Sequence, residues 1–135
     1  MNTDTLPDPF VLQADYFKAL AHPVRLQILT ILRQGEACVC HLEAILHKRQ
    51  AYISQQLAVL REAGLLAERK DRLFVYYSLA DTNVTSVLDS SLASVRPQLT
   101  DSHLTTTLSL SPSAGCACPT CAGEPSRHPV HPFAV

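Results

Sequence analysis

Arg49-Gln50-Ala51-Tyr52-Ile53-Ser54-Gln55-Gln56-Leu57-Ala58-Val59-Leu60-Arg61-Glu62-Ala63-Gly64 places Ile53, Leu57 and Leu60 at i, i+4 and i+7 and ends on glycine. That spacing predicts an amphipathic helix over residues 49–63, stopped by Gly64. Between its apolar positions run Gln50, Tyr52, Ser54, Gln55 and Gln56. Glutamine matches the adenine edge with two hydrogen bonds, and Ser or Tyr reaches base edges or phosphates, so this row suits a nucleic-acid groove.

Working outward, a short helix is predicted over 39–47 on Leu42, Ile45 and Leu46, with only Lys48 and its neighbours left for the turn between the two. After Gly64 the pattern changes to the short runs Leu65-Leu66-Ala67 and Leu73-Phe74-Val75-Tyr76-Tyr77, flanking the charged stretch 68–72. These read as an antiparallel hairpin with a charged turn. Upstream, Phe10 to Leu20 is helical up to His22-Pro23, and 24–34 forms an almost wholly apolar core helix that opens on Pro23 and stops at Gly35. Downstream, Val84, Val87, Leu88, Leu92 and Val95 form one stripe ended by Pro97, and a weaker sixth piece includes Leu99 and Leu104. Two short helices with a tight turn and then a hairpin make the predicted fold mainly α with a small β-hairpin, a winged helix-turn-helix.

The chain has 135 residues, enough for one domain with one core. Residues 1–10 are expected to be a flexible N-terminus, 11–108 the winged helix-turn-helix and dimerisation domain, and 109–135 a flexible tail rich in cysteine. Five of the nine prolines follow residue 110 and no Leu or Ile does, so that end lacks the apolar area to offset its ordering entropy. No apolar run approaches the length of about 18 residues that a membrane helix needs, and the N-terminus lacks the basic start and apolar stretch of a secretory signal. The expected location is the cytoplasm, where thiols stay reduced.

A net charge of -1 offers no overall attraction to nucleic acid, but its distribution does. Residues 45–80 hold Lys48, Arg49, Arg61, Arg69, Lys70 and Arg72 against Glu62, Glu68 and Asp71, a basic island in an otherwise acidic chain. The candidate DNA-binding residues are therefore Arg49, Gln50, Tyr52, Ser54, Gln55, Gln56, Lys70 and Arg72, with Arg49, Lys70 and Arg72 on phosphates. The stripes near 12–20 and 84–95 are wider than a domain this size needs. They predict a homodimer matched to a palindromic double-stranded operator.

Three segments together carry a family resemblance: Glu36-Ala37-Cys38-Val39-Cys40-His41-Leu42, then Ser54 through Leu66, then Val75-Tyr76-Tyr77-Ser78-Leu79. They closely resemble the ArsR/SmtB family of metal-responsive repressors, over about residues 12–98, and the C-V-C narrows the likeness to members that sense with thiolates. The resemblance implies a homodimeric winged-helix repressor, not an enzyme, that binds operator DNA without metal and leaves it on metal binding. The turn Lys70-Asp71-Arg72 departs from the family in lacking its frequent glycine, and Gln56 occupies a position where the family's residue varies.

Five cysteines in two bunches, Cys38 and Cys40 as C-x-C and Cys116, Cys118 and Cys121 as C-x-C-x-x-C, read as metal or redox ligands rather than a disulfide framework. Residues i and i+2 diverge on a regular helix, so one ion on both Cys38 and Cys40 requires extended or irregular backbone there. Two thiolates do not complete a site: Zn(II) and Cd(II) take four donors in a tetrahedron, As(III) and Pb(II) three. In arsenite-sensing relatives the third thiol falls where this chain has Glu43, so the tail cysteines are the expected substitutes, with His128 and His131 as assistants. The family's second metal site, D-x-H then H-x-x-E, falls on Asp81, Asn83, Ser94 and Pro97, and only the Asp matches. Asp101 and His103 repeat D-x-H without a partner. The expected effector is a thiophilic metal or metalloid ion: As(III), Cd(II), Pb(II) or Zn(II). The alternatives are a thiol redox or persulfide-sensing repressor and, less favoured, a thiol enzyme or metal carrier, for which no activating base is placed by sequence.

Overall fold

The computed structural model describes residues 6–100. Helix α1 (Pro9–Leu20) starts at Asp8, whose carboxylate accepts the Phe10 N–H at 2.8 Å. Helix α2 (Pro23–Leu32) is capped by His22, whose Nδ1 accepts the Val24 N–H at 3.2 Å. Then follow β1 (Ala37–Cys38), α3 (Val39–Leu46), α4 (Gln50–Glu62), β2 (Leu66–Asp71), β3 (Phe74–Leu79) and α5 (Asn83–Val95), with a 3-10 turn at Arg96–Gln98. The sheet order is β1-β3-β2, antiparallel throughout.

The core forms where the apolar periodicities meet. Ile28 and Leu29 of α2, Leu42 of α3, and Ile53, Leu57 and Leu60 of α4 are all fully buried, joined by Leu65, Leu66, Leu79, Val84 and Leu88. Burial of each such side chain contributes roughly 1.5–3 kcal/mol. Helix α4 packs against α1, α2, α3 and β2, which sets its orientation from four directions. At its end Gly64 adopts φ 78°, a left-handed turn open to glycine without strain, and the chain reverses into β2.

The hairpin differs from its expected form. The composition of residues 68–72 predicts a charged turn, but β2 runs on to Asp71, which pairs with Phe74, and only Arg72 and Leu73 remain at the tip. The charges join the strand because they find partners: Arg61 meets Glu68 at 3.1 Å, and Arg69 meets Glu36. Strand β1 has no counterpart in the sequence expectations. Two residues are too short for an alternation to register, and the strand exists because β3 presents an edge to pair with. Of the expected sixth helical piece, Leu99 is extended after the 3-10 turn, and Leu104 lies outside the described residues.

Candidate nucleic-acid interface and thiol site

The turn between α3 and α4 is set by His47, the C-cap of α3, at φ 53° with its N–H donating to the Glu43 carbonyl at 2.8 Å. This left-handed residue swings the chain through Lys48 into Arg49, the N-cap of α4. No side chain caps the first turn of α4, so its N–H groups stay available to an anion such as a phosphate. Arg49, Gln50, Ser54 and Gln55 are exposed on this helix.

Two of the expected contact residues also bond within the domain. Gln56 is buried, and its Oε1 accepts from Arg25 Nε at 2.8 Å, so it faces α2 rather than solvent. The same Arg25 donates through Nη1 to the carbonyls of Lys18 at 3.2 Å and Ala19 at 3.1 Å, satisfying the end of α1. Tyr52 is half-buried, its Oη 3.4 Å from His22 Nε2. Because His22 Nδ1 accepts from Val24, the neutral ring carries its proton on Nε2 and donates it to the Tyr52 oxygen. Sequence patterns assign Arg25 no role and His22 only that of a helix breaker. The available signal is a charged Arg25 inside a mostly apolar core helix.

The cations divide into two groups. Arg61 and Arg69 are engaged by Glu68 and Glu36, whereas Lys48, Arg49, Lys70 and Arg72 form no ion pair among the described residues. Those four lie at the entry of α4 and on the wing. Arg72 stands at φ 57°, a left-handed residue at the tip. Beside it, Leu73 is 96% exposed.

Cys38 is the N-cap of α3, in extended backbone, and its Sγ accepts the His41 N–H at 3.4 Å. Cys40 follows in the first helical turn, so the backbone changes from strand to helix between the two sulfurs. Cys38 is 1% exposed and packs with Tyr76, flanked by Cys40 and Phe74. Burial pushes the adjacent His41 imidazole below its ordinary pKa. Over this cluster lies Arg69, its guanidinium 4.6 Å from the Tyr76 ring centroid. Its Nε donates to Glu36 Oε2 at 3.1 Å and its Nη2 to Glu36 Oε1. The bond to Glu36 raises the Arg69 pKa further above its ordinary value.

Among the described residues no three His, Cys, Asp or Glu side chains converge as a metal site. Cys116, Cys118 and Cys121, the assistants His128 and His131, and the pair Asp101 and His103 lie outside the described residues. At the start of α5, Asp81 accepts from the backbone and side-chain amides of Asn83 at 2.9 and 3.0 Å, a local cap. Neither Ser94 nor Pro97 is buried.

Comparison with known proteins agrees with this geometry. The family profile for bacterial regulatory proteins of the arsR family, a helix-turn-helix group, matches residues 22–68. Over 72 residues, 53% of this chain and 62% of the other, the sequence is 46% identical to the arsenical resistance operon repressor of Escherichia coli strain K12. The crystal structure of the transcriptional repressor BigR from Xylella fastidiosa, 30% identical, is similar over 69% of this chain and 95% of that one, with a TM-score of 0.59. A homodimeric winged helix-turn-helix DNA-binding domain from Mycobacterium bovis (fragment 1–100), 27% identical, matches over 70% of this chain and 92% of that one, with a TM-score of 0.61. This chain spans about three fifths of the length of the curated relatives heading the comparison.

Proposed function

Because the chain belongs to the ArsR family of bacterial regulatory proteins, we propose that it is a transcriptional repressor that binds operator DNA as a homodimer and is released by a thiophilic metal or metalloid ion. The observation that carries this reading is the segregation of charge: four cations without an ion pair among the described residues flank the exposed row Gln50, Ser54 and Gln55, while Arg61 and Arg69 nearby are internally paired. Arg49, Lys70 and Arg72 hold phosphates and set the register, and Gln55 with Gln50 and Ser54 reads base edges. Tyr52 contributes through the edge it leaves exposed, and Gln56 acts from behind by orienting α4 against Arg25.

Dimerisation is supported by the apolar surface left on α1, where Phe10 is 77% exposed and Val11, Leu12 and Phe17 are each half-exposed or more, together with Val95 of α5. Residues of this kind seldom face water as a group unless a partner covers them. One Mycobacterium bovis relative is described as homodimeric, and a two-fold protein fits a palindromic operator.

For the effector, Cys38 and Cys40 supply two sulfur donors where strand turns into helix, and Cys116, Cys118 and Cys121 supply the rest. As(III), Cd(II), Pb(II) and Zn(II) are the ions that such a donor set suits. One relative is named an arsenical resistance operon repressor. The test is an electrophoretic shift on the DNA upstream of the chain's own coding sequence, repeated with each of the four ions and with hydrogen peroxide. Release by one or more ions supports the metal reading. Release by peroxide alone transfers the function to thiol oxidation, and no shift with any DNA fragment overturns the repressor reading.

A further inference from the structure

The cysteine segment and the wing are closed into a ring. Cys38 is in register with Tyr76 across β1 and β3, and Arg69 is in register with Tyr76 across β2 and β3. The Arg69 guanidinium lies on the Tyr76 ring and is gripped by Glu36, which stands just before β1. The next residue after Arg69 is Lys70, and Arg72 is at the tip of the same hairpin.

We infer that Arg69 is a positioning residue that makes the Cys38 thiol and the wing one mechanical unit, so that a ligand on the thiol is felt at Lys70 and Arg72. The inference rests on the reading of Cys38 as an effector ligand and adds the route by which occupancy reaches DNA.

Accessibility makes the coupling obligatory. At 1% exposure, Cys38 cannot share an ion with other donors while it is packed on Tyr76. Ligation replaces the S–H proton, which passes to solvent, with a metal–sulfur bond, and it requires the sulfur to leave this cluster. Strand β1 has only two residues, so it is the part of the sheet that yields. Its departure carries Glu36 away from Arg69, and the guanidinium over Tyr76 is left with only the longer pair to Asp71 at 3.7 Å. The hairpin then keeps its own β2–β3 pairing and its seat on α2 and α4, Arg61–Glu68 included, but loses its brace to β1, and the phosphate-binding cations are held less firmly. By reciprocity, DNA that holds the wing in place weakens metal binding to the same degree.

Hydrogen exchange of the full-length chain tests this in two arms. In the metal-free arm, Glu36→Gln and Arg69→Gln should each speed exchange of residues 36–40 and 74–79 by about tenfold while α4 stays protected, and Arg69→Lys should recover part of the protection. If 74–79 remains as protected as in the wild type in both Gln variants, Arg69 does not position the wing and the inference is overturned. In the second arm Cd(II) alone is added, and its uptake is followed by the thiolate-to-metal charge-transfer band. Wild type should show the same faster exchange of 74–79 on Cd(II) binding, and Arg69→Gln should show the band with no further change. A wild-type band with 74–79 unaltered overturns the coupling. Absence of the band overturns the metal-ligand reading instead, and the metal-free arm still decides the role of Arg69.

Discussion

Arg25 Nε on α2 donates to Gln56 Oε1 on α4 over 2.8 Å, and the same guanidinium holds the last carbonyls of α1. One buried side chain of α4 is thus fastened to the two helices behind it. Gln56→Ala leaves Arg25 short of an acceptor and should cost about 1–3 kcal/mol of stability, read as a lower urea midpoint with an unchanged m-value. The rank order of operator variants should not move. Gln55→Ala should do the reverse: stability within about 0.5 kcal/mol of wild type, and discrimination among operator variants reduced by about 1–3 kcal/mol in competition binding. A change in operator ranking caused by Gln56→Ala with stability intact would assign base reading to the buried residue.

Arg72 serves the turn by its backbone and DNA by its charge, and the two roles separate by substitution. Arg72→Ala and Arg72→Gly both remove the cation, so both should weaken binding to every DNA sequence alike and lower the salt slope by about 0.9 for each phosphate that is no longer neutralised. At φ 57° alanine keeps the left-handed strain and glycine removes it. The Gly variant should therefore be more stable than the Ala variant by about 1 kcal/mol in thermal unfolding. An unchanged salt slope would mean that the wing tip does not touch phosphate.

Cys38→Ser and Cys40→Ser should still bind operator DNA but resist release by metal. For wild type, a 100-fold loss of DNA affinity corresponds to a metal affinity difference of about 2.7 kcal/mol between the two forms, modest beside the order of 10 kcal/mol available from thiolate coordination. Removal of residues 111–135 should abolish release or move it to higher metal concentration. Titration of the shifted complex with Cd(II) measures both, and an unmoved midpoint after truncation would show that the tail cysteines are not ligands.

Arg33 and Asp89 join α2 to α5 at 2.6 Å, and the bond from Arg33 holds the Asp89 carboxyl below its ordinary value of 3.8. A carboxylate with a depressed folded value adds stability that is complete above the unfolded value and is lost as pH falls through the folded one. Asp89→Asn should therefore lie slightly below wild type in the neutral region, by a small amount because the pair is exposed, and converge on it as pH falls, which flattens the acid limb. Urea midpoints at stepped pH would reveal an acid limb identical to wild type if the pair contributes nothing.

The helices, the hairpin and the winged helix-turn-helix arrangement are legible in the sequence because they rest on local periodicity. Ile53, Leu57 and Leu60 at i, i+4 and i+7 define a buried face wherever that helix sits, and Gly64 ends it by its own backbone freedom. The C-V-C pair is equally visible, since closely spaced thiols announce their chemistry by type. What tertiary structure alone decided is the direction and company of the polar side chains. Gln55 and Gln56 are adjacent and identical, yet one is exposed and the other is consumed by Arg25, because the helical step between them is about 100° and the position of α2 determines which falls inside. Likewise, the charges at 68–71 have the composition of a solvated turn and became strand, since Glu36, far away in sequence, and Tyr76 on the opposing strand supply the partners that make extension favourable for Arg69. A polar side chain takes its role from whichever group lies within about 3 Å. Such neighbours are assembled by contacts between distant segments, which no local pattern encodes.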